Sequence, residues 1–222
     1  MSVESRRRDI RILETAGAAA AFAAAFVANY YAGRYVDRVA GRLPALEGDL
    51  LLQVLPRVDL TVLFVWGFAA FLAFAGAAAY LYERDRIFYI AWMYAILIAI
   101  RAFFLILTPM GAPAGAFPVE GSALFDMIGN YMTFKNDLFF SAHTSMPFLG
   151  YLIYRARWVR GVFLGLSFAL ASCVLLSRLH YSIDVAGAFF ITSGVAWTHR
   201  ALIEPIYRSW KKNYVAGRRG KP

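Results

Sequence analysis

The sequence predicts an all-α polytopic membrane protein with six transmembrane helices and an interfacial helix between the first two. Of the 222 residues, 60% are hydrophobic and only 17% are charged. The apolar residues form long blocks instead of one-sided helical stripes, which argues against a soluble globular domain. No internal repeat divides the chain, so residues 1–222 are predicted to form a single integral membrane domain.

Six apolar segments are candidate spans when about 20 residues are required for each crossing. The first is longer than a usual signal-peptide core and is interpreted as a retained span. Residues 34–59 mix apolar and charged side chains, which is typical of a helix lying in the membrane interface. A second long connector, 108–136, is rich in glycine, proline and aromatic residues. The candidate spans are 13–32, 60–82, 87–107, 138–154, 161–179 and 181–202.

Basic residues are distributed unequally over the two sides of this six-span arrangement. One side holds the N-terminus, the turns 83–86 and 155–160, and the C-terminal end with its basic tail 203–222. It carries 16 of the 23 Lys and Arg residues, against six on the other side. Basic loops face the cytoplasm, so both termini are predicted to be cytoplasmic. The expected location is a bacterial inner membrane, or a Golgi-type or plasma membrane if the chain is eukaryotic. The net charge of +9 suits anionic lipid headgroups, and no nucleic-acid partner is predicted.

A histidine and an aspartate lie one helical turn apart in SRLHYSIDVAG, residues 177–187. In the six-span arrangement His180, Asp184 and His143 all lie at the extracytoplasmic ends of spans. A spacing of four residues places Asp184 on the helical face of His180, where its carboxylate can fix the imidazole tautomer and stabilise positive charge. A belt histidine and a helix-capping aspartate are the alternatives. Convergence of three such groups favours a catalytic site.

Motifs around these residues carry a family resemblance. HYSIDV is preceded by SAHT, and Asp137, Ser141, His143 and Thr144 match the pattern Asp, three residues, Ser-Gly-His-Thr, with Ala142 in place of Gly. These motifs resemble those of the sphingomyelin synthases, which are similar to the wider type 2 phosphatidic acid phosphatase superfamily of six-span lipid enzymes. The catalytic motifs fall within 101–185, and the first 90 residues match no family.

Two positions depart from the phosphatase branch of that superfamily. Arg101 and Pro109 fit its Lys, six residues, Arg-Pro motif, whereas Thr108 replaces the arginine. Val174 stands where the phosphatases carry another arginine, six residues before the second histidine. Arg101 and Thr108 instead match the family pattern Arg, six residues, Thr. Fewer guanidinium groups suit a singly charged phosphodiester better than a phosphate dianion, so the synthase-like branch is favoured.

The resemblance implies transfer of a phospho-head group from a glycerophospholipid to a lipid alcohol such as ceramide. His180 would attack phosphorus, His143 would act as general acid and then base, and Asp184 would hold His180. A lipid phosphate phosphatase or phospholipase-C-like hydrolase is the alternative. A proton-coupled transporter is less favoured, because transporter sites tend to lie near the midplane between repeats.

Further side chains are candidate substrate contacts. Arg101 is equally consistent with a structural ion pair. Aromatic rings near the site suit a choline headgroup or an ordinary aromatic belt, so choline, ethanolamine, glycerol and inositol donors all remain open. Nothing resembles a metal site or a nucleotide loop, so no cofactor is predicted. The candidate contacts are Arg101, Asp137, Ser141, Thr144, Arg178 and Tyr181, and the rings are Phe117, Phe125, Tyr131, Phe139, Phe140 and Tyr181.

Overall fold

The computed structural model describes residues 2–119 and 136–217, and within them the chain forms eight α-helices and no β-strand. The all-α prediction is confirmed for these residues. Much of the connector 108–136, including Lys135, and the end of the tail 203–222 lie outside them. The helices are α1 (Val3–Ala40), α2 (Leu50–Val54), α3 (Thr61–Tyr82), α4 (Ile87–Leu107), α5 (Ala142–Ile153), α6 (Arg157–Leu176), α7 (Ser182–Thr198) and α8 (Glu204–Ala216).

Four helical segments are long and apolar enough to cross a membrane: α1, α3, Arg84–Leu107 and α6. The Arg84–Leu107 segment joins a 3₁₀ turn, Arg84–Arg86, to α4. The other two predicted spans are shorter, with 12 residues in α5 and 17 in α7. At the α-helical rise they extend about 18 and 26 Å, against a hydrocarbon core of about 30 Å. The six-span arrangement therefore stays a prediction.

Helix bounds agree with the apolar segments where charged residues flank them closely and differ elsewhere. α3 and α4 begin and end within one residue of the predicted bounds. α1 is far longer than 13–32, because arginine, a good helix former, recurs in its flanks 3–12 and 33–40, which continue the helix. The predicted interfacial helix is accordingly limited to the five residues of α2, and its position in the membrane interface stays a prediction.

The helices pack around α5, which contacts both α6 and α7, while α3 packs on α6 and α1 lies along α4. Close contact between α5 and α6 depends on Gly150, where an added Cβ would lie 2.7 Å from the Phe163 ring. Phe71, Met93 and Leu149 belong to the same buried cluster as Phe163. This packing holds the first turn of α5 beside the first turn of α7.

The turns at the predicted cytoplasmic end are joined through Glu83, which is completely buried. Its carboxylate accepts the Arg155 backbone N–H at 2.6 Å and Arg155 Nε at 3.0 Å. It also accepts Arg86 Nη1 at 3.1 Å. A buried carboxylate needs such partners, since its desolvation is costly. Glu83 therefore ties the Arg84–Arg86 turn to the α5–α6 turn.

Candidate active site

The turn between α6 and α7 presents His180. α6 ends at Leu176, and Arg178 adopts the left-handed conformation with φ 58°. The backbone N–H groups of Leu179 and His180 both donate to the carbonyl of Val174, at 2.8 and 3.3 Å. These bonds reverse the chain at the end of α6, and they leave the His180 ring beside the start of α7.

Asp184 contacts the His180 ring and also caps helix α7. Its Oδ2 lies 3.2 Å from His180 Nδ1 and accepts the Tyr181 backbone N–H at 2.8 Å. It therefore caps the start of α7 and orients the imidazole with the same oxygen. Asp184 is completely buried, and its Oδ1 has no hydrogen-bond partner within the described part of the chain. His180 Nε2 is the ring nitrogen that Asp184 does not bind.

His143 is brought to the same place by the first turn of α5. The Ser141 backbone N–H donates to the Asp184 carbonyl at 3.2 Å, which joins the start of α5 to α7. The His143 ring stacks on Phe64 of α3 with a centroid distance of 3.9 Å and lies 4.3 Å from the Phe68 ring. The side chains of His143 and His180 are both buried. The two histidines thus share one buried site.

Arg101 and Asp137, two predicted substrate contacts, bind each other. Arg101 Nη2 lies 2.5 Å from Asp137 Oδ1, with both side chains more than 90% buried. Arg101 Nε donates to the Phe140 carbonyl at 2.9 Å, and Nη1 donates to Asn29 Oδ1 at 3.1 Å. The guanidinium therefore fixes the loop that leads into His143, and its charge is balanced by a carboxylate.

Three hydroxyl groups lie at the N-terminus of α5, on Ser141, Thr144 and Ser145. Each residue is completely buried, and none of the three hydroxyls has a hydrogen-bond partner among the described residues. The first N–H groups of a helix are also without intrahelical partners and favour anions. Ser145 was not predicted from the sequence, although its place beside Thr144 in the SAHTSM stretch was a usable signal. The three hydroxyls and the helix N–H groups are donors of the kind that bind a phosphate group.

The side chains of Tyr181 and Arg178 form hydrogen bonds with backbone groups of distant segments. The Tyr181 hydroxyl donates to the Gly111 carbonyl at 2.9 Å and accepts the Leu46 N–H at 2.8 Å. Arg178 Nη2 donates to the Leu55 carbonyl at 3.0 Å. Tyr181 therefore holds the connectors over the site, while Arg178 keeps a guanidinium without a carboxylate partner among the described residues, two positions from His180.

Asp49, which the sequence did not single out, caps two helices. Its carboxylate accepts the Ser182 N–H of α7 at 2.7 Å and the Leu52 N–H of α2 at 3.1 Å. Burial alone would raise the pKa of Asp49, but hydrogen bonds from the backbone of Ser182 and Leu52 outweigh it and lower the pKa. The stabilisation is present above the ordinary carboxyl pKa and is lost as pH falls through the lowered value.

The aromatic rings proposed for choline lie in different surroundings. The Phe117 face already carries the Arg57 guanidinium, 4.1 Å from its centroid. Phe140 and Tyr181 are buried, and Phe139 packs against the buried core cluster. The other two rings, Phe125 and Tyr131, lie outside the described residues. Recognition of choline by these rings stays a prediction.

The segment that carries both histidines and Asp184 also carries a family match. Residues 136–201 match the PAP2 superfamily C-terminal family. The match covers less than a third of the chain, includes Asp137 and Ser141, and leaves Arg101 outside. It supports the type 2 phosphatidic acid phosphatase superfamily and does not separate its phosphatase and sphingomyelin synthase-like branches. No curated protein and no solved structure matches the chain.

Proposed function

We propose that this protein is a membrane enzyme that transfers a phospho-head group from a glycerophospholipid to a lipid alcohol such as ceramide. The observation that carries the proposal is the His180 ring, held through Nδ1 by buried Asp184, whose backbone carbonyl also binds the start of the helix that carries buried His143. Superfamily likeness supports phosphoryl-transfer chemistry on lipids. The hydroxyl-lined N-terminus of α5 supplies donors for the phosphate oxygens.

The reaction has two displacements at phosphorus. His180 Nε2 attacks the phosphorus of the donor, the bond from phosphorus to the diacylglycerol oxygen breaks, and His143 gives that oxygen a proton. His143 then takes the proton of the acceptor hydroxyl, whose oxygen attacks the phosphohistidine and releases His180. Asp184 stabilises the positive charge that develops on the His180 ring.

The charges around the histidines favour a singly charged phosphodiester substrate. At the two positions where the phosphatase branch has arginine, Thr108 donates its hydroxyl to the Phe104 carbonyl at 2.8 Å, and Val174 is completely buried. The Arg101 charge is balanced by Asp137. Among the described residues, Arg178 is the nearest guanidinium in sequence to His180 that lacks a carboxylate partner. A single unpaired guanidinium suits a singly charged phosphodiester better than a bare phosphate dianion.

Transfer in preference to hydrolysis is the first expected result. A bound acceptor reaches effective molarities of about 10⁵ M or more when it is held against the reacting group, which allows it to compete with water. The purified protein is given head-group-labelled phosphatidylcholine, phosphatidylethanolamine, phosphatidylglycerol or phosphatidylinositol, each with ceramide or with diacylglycerol whose acyl chains differ from those of the donor. We expect label in a new lipid for at least one pair. Release of most label into water at saturating acceptor would replace the transferase with the hydrolase.

We also propose six crossings, with the histidines at the extracytoplasmic side. The bond from the Leu46 N–H to Tyr181 places the α1–α3 connector on the side of His180. In an otherwise unchanged chain, whose Cys173 is buried, Glu47→Cys should react in intact cells with a membrane-impermeant maleimide. Arg157→Cys, at the start of α6 and therefore on the predicted cytoplasmic side, should react only after permeabilisation. The reverse pattern would refute the proposed orientation.

A further inference from the structure

A cavity lies at the end of the bundle away from His143 and His180. It has a volume of about 1090 Å³ and is enclosed by parts of α1 and α4, the α5–α6 turn, the π turn His199–Ile203 and α8. α7 separates the two sites, because Asp184 lies in its first turn and His199 follows its last residue. By helical rise the separation is about 22 Å. The proposed transfer chemistry uses none of the residues in this cavity.

One wall of the cavity is basic. Six basic and three acidic side chains line it. The three carboxylates are already paired with basic groups, in the pairs Glu14–Lys211, Asp85–Arg155 and Glu204–Arg208. Arg160 Nε donates to the Tyr151 carbonyl at 2.9 Å, and Arg200 donates to the Leu152 carbonyl. Within residues 2–119 and 136–217, neither of these two guanidinium groups has a carboxylate partner, so the wall keeps positive charge for a ligand.

A buried histidine, His199, also lines the cavity. His199 is 6% exposed, and its Nδ1 forms no hydrogen bond to the described residues. Its ring packs edge-on against Tyr89, with centroids 5.3 Å apart. A buried ring nitrogen without a partner carries a desolvation cost that a ligand hydrogen bond would remove. His199 belongs to a π turn, a feature that is frequent at functional sites.

The opposite wall is apolar and accessible. Leu13 of α1 is 58% exposed, Phe88 and Trp92 of α4 are each 39% exposed, and Ile203 is 44% exposed. All four line the cavity. Gly17, beside Leu13 on α1, has no atom within 4 Å of a Cβ placed on it, so the wall is open there. A soluble phosphate ester would leave this apolar surface uncovered, whereas an acyl chain would cover it.

We propose that this cavity binds an anionic phospholipid, with its phosphate on the wall of Arg160, Arg200 and His199 and an acyl chain along Leu13 and Trp92. Guanidinium groups bind phosphate oxygens through charge-assisted hydrogen bonds. Anionic lipids are concentrated in the cytoplasmic leaflet, where the inner ends of the helices are predicted to lie. The bound lipid is distinct from the donor and acceptor of the transfer reaction.

Native mass spectrometry of the full-length protein in detergent tests the proposal. Dioleoyl-phosphatidylglycerol should be retained at lower concentration than dioleoyl-phosphatidylcholine. The double variant Arg160→Gln/Arg200→Gln should weaken phosphatidylglycerol binding by about tenfold or more, since each basic group adds roughly 1 kcal/mol of attraction. Arg157→Gln removes an exposed charge from the α5–α6 turn without touching the cavity, and it should bind like the parent chain.

A second pair of variants tests the apolar wall without changing a charge. Gly17→Phe fills the open wall and should abolish retention, whereas Gly76→Phe, on an equally open face of α3, should not. Unchanged phosphatidylglycerol binding in Arg160→Gln/Arg200→Gln or in Gly17→Phe would overturn the proposal. Displacement of the lipid by millimolar inorganic phosphate would do so as well, because it would indicate a site for a soluble anion.

Discussion

His180→Asn is expected to abolish both head-group transfer and any covalent phospho-enzyme. Asparagine can fill much of the imidazole volume, but it has no ring nitrogen to attack phosphorus. Loss of a nucleophile from a catalytic unit lowers turnover by about 10⁵ to 10⁶-fold. Rapid quenching after addition of donor labelled in the phosphate should show protein-bound label in the parent chain and none in the variant.

Thr198→Asn, at the exposed last residue of α7, is the matched control and should keep full activity. The unfolding temperature of His180→Asn in detergent should stay close to that of the parent chain, because Asp184 still accepts the Tyr181 backbone N–H. Protein-bound label or near-normal turnover in His180→Asn would exclude the covalent mechanism.

Asp184→Asn is expected to lower turnover by up to about 10⁴-fold, as when other histidines lose their orienting carboxylate. The amide oxygen can still accept the Tyr181 N–H, so the start of α7 should survive. The variant loses the negative charge that stabilises positive charge on His180. We expect slow formation of the phospho-enzyme in single-turnover experiments, with little change in KM for the donor.

Comparison with Asp184→Ala separates orientation from capping. Asp184→Ala removes the cap as well as the charge. Its free energy of unfolding should be about 1 kcal/mol lower than that of Asp184→Asn. If the Ala variant unfolded at a lower temperature than the Asn variant while both retained most of the turnover, Asp184 would be a structural cap with no positioning role.

Apolar segments predicted the bounds of helices well where the apolar segment and the helix end at the same residues. This holds for α3 and α4, which charged residues bound closely. It fails for α1, because hydropathy measures preference for lipid and does not report that arginine-rich flanks can continue the helix. It also fails at the start of α5, since Arg101 holds residues 137 and 140 in a non-helical loop through tertiary contacts.

The spacing of His180 and Asp184 predicted their contact because both lie in one turn of chain. Partners that lie far apart in sequence were not predictable in the same way. The Arg101–Asp137 pair spans 36 residues, and stacking of His143 on Phe64 joins two helices. Sequence motifs named Arg101 and Asp137 as substrate contacts, but they could not show that each already satisfies the charge of the other.

The double cap by Asp49 and the two bonds of the Tyr181 hydroxyl have a consequence for the order of assembly. The Leu46–Tyr181 and Asp49–Ser182 bonds join residues separated by 135 and 133 positions. Closing such long loops carries an entropy cost that is recovered only when both ends are present. During synthesis, Leu46 and Asp49 of the α1–α3 connector therefore lack their partners Tyr181 and Ser182 until α7 has left the ribosome. The catalytic end is completed only after α7 has emerged, so a shorter nascent chain carries His143 without His180 and Asp184.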